Sequence, residues 1–113
     1  MCDGFFQRRT ARIFDTVDVI LAPTTATPPP KIGAMAELDA NGLSRTVVRA
    51  CPYAWPWNTL GWPAISVPAG PTADGLPLGA QPLGPANSED RLISLGAQLE
   101  YRELWQNRRP PAE

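Results

Sequence analysis

Few residues in this 113-residue sequence can act as a nucleophile, a base or a metal ligand. Histidine is absent, Lys31 is the only lysine, and the two cysteines, Cys2 and Cys51, form no CxxC motif. Without histidine, the chain cannot build a serine–histidine or cysteine–histidine nucleophile pair, or a histidine-ligated zinc site. The thiol of Cys51 likewise has no histidine base to activate it. The residue types therefore predict no metal site and no cysteine-based catalysis.

Two pairs of acidic residues are candidates for acid–base chemistry, which requires two carboxyl groups that converge in a cleft. Asp15 and Asp18 flank the start of a predicted strand, whereas Glu89 and Asp90 lie at the start of a predicted helix and suit its positive end. Both pairs thus have a structural explanation. No glycine pattern matches a phosphate loop or a dinucleotide fingerprint. The residues alone predict a scaffold, with a pocket wall at most, and no catalytic constellation.

The charge balance limits the partners of the chain. It has 10 basic and 11 acidic residues, and its formal charge is −1. A surface for nucleic acid or an anionic membrane needs a net basic face, so neither partner is predicted. The N-terminus is too polar for a signal peptide, and no apolar run approaches the roughly 20 residues that span a bilayer. We expect a cytoplasmic protein.

The first two predicted elements indicate an α/β protein. Apolar residues at helical spacing predict an amphipathic packing helix over residues 4–16, with Asp3 as its N-cap. Three arginines lie off that apolar face, and a basic helix for lipid or nucleic acid is the alternative. The β-branched run of residues 17–22, stopped by Pro23, predicts a strand covered on both faces. A helix followed directly by a buried strand is typical of layered α/β folds.

The middle of the chain is rich in proline. The run Pro28-Pro29-Pro30 predicts an extended surface loop, and the alternative is a polyproline ligand for an aromatic groove. Beyond it, Asn41-Gly42 indicates a turn. Residues 44–50 then predict a short helix capped by Ser44.

Three of the four tryptophans fall in residues 53–63. Pro56 and Pro63 argue against a regular helix interior in this stretch. Tryptophans on irregular backbone line a pocket or an interface, because the ring is apolar with one donor edge. Plain core packing explains the same cluster equally well, so both interpretations stay open.

The last third of the sequence predicts a hairpin and a helix. Residues 64–68 and 78–83 alternate in polarity around Asp74-Gly75, which is a strong hairpin signal. Pro82 removes a ladder donor and predicts an edge strand or a bulge. The final helix begins after Asn87 or Ser88. An apolar stripe runs along it, and Pro110-Pro111 ends it. The residues of the stripe are Leu92, Leu95 and Leu99, widened by Ile93, Ala97 and Leu104.

The order of three segments resembles the C-terminal part of amidase signature hydrolases. The first is D-V-I-L-A-P-T-T at residues 18–25, the second is N-x-x-G-x-P-A-x-S-x-P at 58–68, and the third is D-G-x-P-x-G-x-Q at 74–81. The final helix and the Trp105…Arg109-Pro110 ending fit the same family. The resemblance covers the chain from about Phe14 onward, and its specificity lies in the combination of motifs at matching spacing.

The resemblance implies a fragment of an α/β/α sandwich with a mixed sheet. In order, the fragment would contain an N-terminal helix, a buried strand, a long proline-rich loop, a β-hairpin and a C-terminal helix. Residues 1–113 would then be the C-terminal portion of an amidase-type domain and not a complete domain. Members of the family hydrolyse carboxylic amides with a serine nucleophile, a second serine in a cis peptide and a lysine base, and they use no metal or cofactor.

None of those catalytic residues can be carried over to this sequence. The glycine- and serine-rich stretch that bears the family's serines is absent, and Lys31 follows a proline loop rather than lying in the expected upstream strand. Ser66 corresponds to a structural serine of the family. Cys51 stands near the position where glutamine-using relatives carry an aspartate, which argues against that subgroup. The resemblance places only Trp55 and Trp57 at a site, as part of the acyl-side wall of a substrate pocket.

The sequence thus predicts an amidase fragment that is inactive alone. One alternative is a non-catalytic subunit that complements a separately encoded N-terminal catalytic half, and a small-molecule amide would then bind only after complementation. Another alternative is a small interaction protein that uses Pro28-Pro29-Pro30. A piece cut from a larger sheet should also leave apolar surface open in isolation.

Overall fold

The computed structural model describes residues 4–109 of the chain. It contains four α-helices and three strands within that range. In chain order these are α1 (Gly4–Ala11), β1 (Ile20–Pro23), α2 (Ala40–Ala50), α3 (Ala54–Leu60), β2 (Val67–Pro71), β3 (Pro77–Leu83) and α4 (Glu89–Glu103). Short 3-10 turns follow α1 at Arg12–Asp15 and α4 at Trp105–Asn107. No helix in the described range is both long enough and apolar enough to cross a bilayer.

The three strands form one antiparallel sheet with β3 in the middle, in the order β1-β3-β2. Strands β2 and β3 are the predicted hairpin. Its loop contains Gly75 at φ +83, which is a left-handed conformation that glycine adopts without strain. On the other side of β3, Ile20 pairs with Leu83 and Ala22 pairs with Gln81. The hairpin prediction is therefore confirmed, and β1 adds to it from a distant part of the chain.

Helices and aromatic residues cover parts of both faces of this sheet. Successive side chains of a strand point to opposite faces, so Pro82 and Leu83 lie on different sides of β3. On one side α4 packs so closely that a Cβ built on Gly96 would lie 3.0 Å from Ile65 Cδ1. On the other side Leu83 contacts Trp57 in the buried core cluster. The predicted α/β fold class is confirmed, with helices on both sides of the described sheet.

Helix α4 follows the predicted apolar stripe only in part. Leu92, which is 2% exposed, and Gly96 are buried, whereas Ile93 is 65% exposed and Leu104 is 49% exposed. The prediction that Ile93, Ala97 and Leu104 widen the packed stripe is therefore wrong for the described residues, because α4 meets the sheet along a single row. Leu104 also ends the helix in the left-handed conformation, ahead of the prolines predicted to do so.

Strand β1 corrects the prediction that residues 17–22 form a strand covered on both faces. The strand begins at Ile20, its residues alternate between partly buried and exposed, and Leu21 is 70% exposed. It lies at the edge of the sheet and is covered from one side by the aromatic core. Continuous apolar sequence indicates burial on both faces, but within residues 4–109 no second layer covers β1.

Pro82 contradicts the prediction of an edge strand or a bulge, since it is fully buried in the central strand β3. The Ile65 N–H donates to the Pro82 carbonyl oxygen at 3.0 Å, and proline has no N–H to return the bond. Regular pairing with β2 begins two residues later, at Val67. The missing donor thus falls just outside the ladder, where it costs the sheet little.

Helix α3 overturns the argument that two prolines exclude a helix from the tryptophan-rich stretch. Pro56 is the third residue of the helix, where backbone N–H groups have no intrahelical partner in any case. Pro63 lies beyond the end of the helix. Gly61, at φ +67, supplies the left-handed C-cap.

Helix α2 begins earlier than the sequence predicted. Asp39 is the N-cap, and its Oδ1 accepts a hydrogen bond from the Gly42 N–H at 2.7 Å. Asn41-Gly42 therefore lies in the first turn of the helix rather than in a separate turn, and Ser44 lies inside it. An aspartate three residues before the accepting N–H caps as well as serine does, so two cap sites competed in this sequence.

The N-terminal helix is present, but it does not pack as predicted. No residue of α1 is buried, and Phe6 and Ile13 are 39% and 45% exposed. Of the predicted face, only Phe14 packs against the core cluster. The predicted cap Asp3 and the terminal Pro110-Pro111 lie outside the described residues.

Candidate functional site

Three aromatic rings form the centre of the core on the side of the sheet opposite α4. The ring centroids of Phe14, Trp57 and Trp62 lie 6.0 to 6.4 Å apart in edge-to-face arrangements. Trp57 is only 7% exposed, and its Nε1–H donates to the Gly84 carbonyl oxygen at 2.9 Å. Edge-to-face packing and a satisfied indole N–H fix this ring in place. Trp57 is thus a rigid wall of the core.

The two predicted pocket residues point in different directions. Trp55 and Trp57 are two positions apart on α3, which separates their side chains by about 200° around the helix axis. Trp55 is 54% exposed, so its ring is free for contact with another molecule or chain. The structure places Trp57 in the core and Trp55 at the surface. Contact of either ring with a substrate stays a prediction.

A pair of hydroxyl groups crosses the middle strand of the sheet on the same side as the aromatic core. Thr24 Oγ1, just beyond β1, and Ser66 Oγ, just before β2, lie 2.8 Å apart. They meet above Gly79 of β3, where an added Cβ would lie 2.6 Å from Thr24 Oγ1 and 3.3 Å from Ser66 Oγ. The hydroxyls therefore fill the space that any larger residue at position 79 would need.

Gln81 completes this uncharged polar patch. Cross-strand pairing puts Ala22 opposite Gln81, and the alternation along β3 puts Gln81 on the same face as Gly79. The side-chain oxygen of Gln81 is buried and accepts no hydrogen bond from residues 4–109. A buried acceptor without a donor costs about 1–3 kcal/mol, so such atoms are rare in folded proteins.

The serines and the lysine of the described chain do not form a catalytic pair. Ser66 Oγ bonds to a threonine hydroxyl, and the buried Ser88 donates to the Pro85 carbonyl oxygen at 2.7 Å. Lys31 is exposed in the proline-rich loop, and no hydrogen bond joins its ammonium group to a serine within residues 4–109. The same range contains no cluster of three metal-ligating residues. What the geometry offers is a fixed aromatic wall and neutral hydrogen-bonding groups.

The comparisons with known proteins give the family. An amidase family model matches residues 3–93, which is most of the chain. The chain belongs to the amidase family. The resemblance drawn from the three sequence motifs is thereby confirmed, and all three motifs lie inside the matched residues.

Relatives of this amidase-family chain are much longer than it is. It is 58% identical over 104 residues to "Putative amidase AmiA2" of Mycobacterium tuberculosis, covering 92% of this chain and 22% of the relative. It is 41% identical over 102 residues to "Putative amidase AmiB2" of the same species, covering 90% of this chain and 22% of the relative. The chain therefore spans about a fifth of the length of the curated relatives it matches.

A solved structure shares the fold of this amidase-family chain. The structure of 6-aminohexanoate cyclic dimer hydrolase superposes with a TM-score of 0.81 at 30% sequence identity, over 95% of this chain and 24% of that enzyme. A match this high over nearly the whole chain shows that the α/β arrangement is that of an amidase-family segment.

Sequence reasoning did not find the polar patch. Thr24, Ser66, Gly79 and Gln81 all lie within the three motifs, but no local pattern shows that two strands far apart in sequence bring them together. The available signal was the glycine inside β3, since a glycine within a strand often marks close approach of another group.

Proposed function

We propose that this chain is the non-catalytic C-terminal part of an amidase, and that it contributes to hydrolysis of a carboxylic amide only when joined to a catalytic part. The observation that carries the proposal is the match of 92% of this chain to 22% of an amidase relative. It is supported by the serines of the described chain, which have hydroxyl or carbonyl partners rather than a lysine.

The two parts would divide the work. The catalytic part would supply the nucleophilic serine, the second serine and the lysine that the family resemblance implies, and no cofactor is needed for that chemistry. This chain would supply a rigid sheet edge and the exposed ring of Trp55, which is 54% accessible. An aromatic ring at that position favours a bulky apolar or aryl group on the acyl side of the amide.

The proposal includes the partner and its location. The catalytic part would be a separately encoded N-terminal half, or a segment read in frame with this one, and the two would meet in the cytoplasm. Sequencing the transcript across the codon for Met1 distinguishes these arrangements: a separate upstream chain should carry a glycine- and serine-rich stretch and a lysine of its own.

A graft tests the proposed function directly. The segment of AmiA2 that matches this chain is replaced by this chain, and release of ammonia is measured on a panel of primary acyl and aryl amides. We expect the graft to hydrolyse the amides that intact AmiA2 hydrolyses, because 58% identity preserves the contacts between the two parts. AmiA2 without the segment is the negative control, and we expect it to be inactive.

The result that would contradict the proposal is a graft that unfolds cooperatively, as intact AmiA2 does, and yet hydrolyses none of those amides. Such a graft would contain a correctly folded segment that cannot serve an amidase. A segment-free AmiA2 with full activity would contradict it equally, since the segment would then contribute nothing.

A further inference from the structure

The uncharged polar patch formed by Thr24, Ser66 and Gln81 around Gly79 has hydrogen-bonding capacity that the described chain does not use. The two hydroxyls share one hydrogen bond of 2.8 Å, which leaves one O–H donor and further acceptor lone pairs. The buried Gln81 side-chain oxygen accepts no hydrogen bond within residues 4–109. The patch therefore offers a donor and acceptors side by side.

The chemistry of the patch selects a neutral group. None of its side chains is ionisable at neutral pH, so it cannot balance a phosphate, a carboxylate or an ammonium ion. A group that both donates and accepts, and carries no charge, is an amide. Such a group comes either from the main chain of a protein segment or from a small amide substrate.

Its position favours a main-chain segment. The patch lies on the face of the sheet whose other half is closed by Trp57, Leu60 and their neighbours, so it is continuous with the inner side of a packed layer. Ser66 is nevertheless exposed in residues 4–109. The matched relatives have almost four-fifths of their length outside the aligned segment, which is ample chain to cover this half of the face.

We propose that the polar patch is a seat for a main-chain segment of the catalytic part, and that the Gln81 carbonyl oxygen accepts a backbone N–H from that segment. This inference rests on the proposed function, since it needs a catalytic part to dock. The absence of a side chain at Gly79 lets the two hydroxyls lie flat against the strand, so an incoming backbone can reach all three groups.

The test compares one substitution in two settings, the isolated chain and the AmiA2 graft. In the isolated chain, Gln81→Met removes a buried acceptor that has no partner, so we expect its melting temperature to stay unchanged or to rise. In the graft the same substitution removes a hydrogen bond between the parts, and we expect the melting temperature to fall by about 2 °C or more. Thr24→Val is a second variant of nearly the same shape, with the same expected fall in the graft.

Gln106→Met, at an exposed position after α4, is the matched control and should change neither melting temperature. Equal destabilisation by Gln81→Met in both settings would show a role within this chain only and would overturn the seat. So would a graft whose melting temperature is unaffected by both variants. A graft of unchanged stability whose KM for amides rises would assign the patch to the substrate and overturn it too. Because the melting temperature is read without activity, an inactive graft counts against the proposed function and not against the seat.

Discussion

Glycine at position 79 decides how closely the three strands can be joined. Its Cα lies under the hydroxyls of Thr24 and Ser66, and an added Cβ would lie 2.6 Å from one oxygen and 3.3 Å from the other. Contacts of that length force a side chain or a strand to move. The Thr24–Ser66 hydrogen bond and the glycine are therefore one feature, built from residues that are 13 to 55 positions apart.

We expect Gly79→Ala to lower the free energy of unfolding by about 1–3 kcal/mol, measured by urea denaturation followed by tryptophan fluorescence. Gly4→Ala is the control, since a Cβ there meets only the flexible end of Arg8 at 3.8 Å. Thr24→Ala should lose less stability when combined with Gly79→Ala than when made alone, because the alanine then has more room. Strict additivity of the two substitutions would contradict the steric account.

The two tryptophans of α3 provide a matched pair. Trp57→Phe removes the indole N–H that donates to the Gly84 carbonyl oxygen in the core, and we expect a loss of about 1–3 kcal/mol in the free energy of unfolding. Trp55→Phe changes an exposed ring and should stay within about 0.5 kcal/mol of the parent. Urea denaturation followed by circular dichroism gives both values. Equal losses would mean that α3 is rotated relative to the arrangement described.

At the scale of elements, the sequence predicted existence better than boundaries and surroundings. The hairpin and the final helix were predictable because turn chemistry and helical periodicity are local. The start of α2 was not, because Asp39 and Ser44 both satisfy the rule for an N-cap and only the structure shows which one accepts the Gly42 N–H. Pro82 was placed wrongly because the position of a strand within a sheet depends on its distant partners.

Helix α2 should depend on Asp39 and not on Ser44. We expect Asp39→Ala to cost about 1 kcal/mol of helix stability, since its Oδ1 accepts the Gly42 N–H at 2.7 Å. Amide hydrogen exchange of residues 40–50 should then become faster. Ser44→Ala, inside the same helix, should leave that exchange rate unchanged. Faster exchange in Ser44→Ala but not in Asp39→Ala would restore the cap that the sequence first suggested.

At the scale of the whole molecule, the exposed apolar side chains are consistent with a segment that packs against more protein. Leu21 at 70%, Ile93 at 65% and Ile32 at 107% relative exposure lie on an edge strand, a helix and a loop. The family and the overall α/β fold could be predicted from three motifs. The polar patch could not, because it depends on strand pairing between residues far apart in sequence.

We expect this open apolar surface to bind a hydrophobic dye in the isolated chain and to promote its self-association. Fluorescence of anilinonaphthalene sulfonate with the 113-residue chain, compared with the AmiA2 graft at equal molar concentration, measures the difference. The graft should bind less dye, since the same side chains are covered. A monomeric isolated chain that binds no dye would contradict this view of its surface.

The most direct test of the central claim is amide hydrolysis by the purified 113-residue chain beside the AmiA2 graft, on the same amides and with ammonia release as the readout. The account predicts turnover by the graft and none above the buffer rate by the chain alone. Turnover by the chain alone that is lost in Lys31→Ala or Ser66→Ala would contradict it, because this segment would then contain its own catalytic residues.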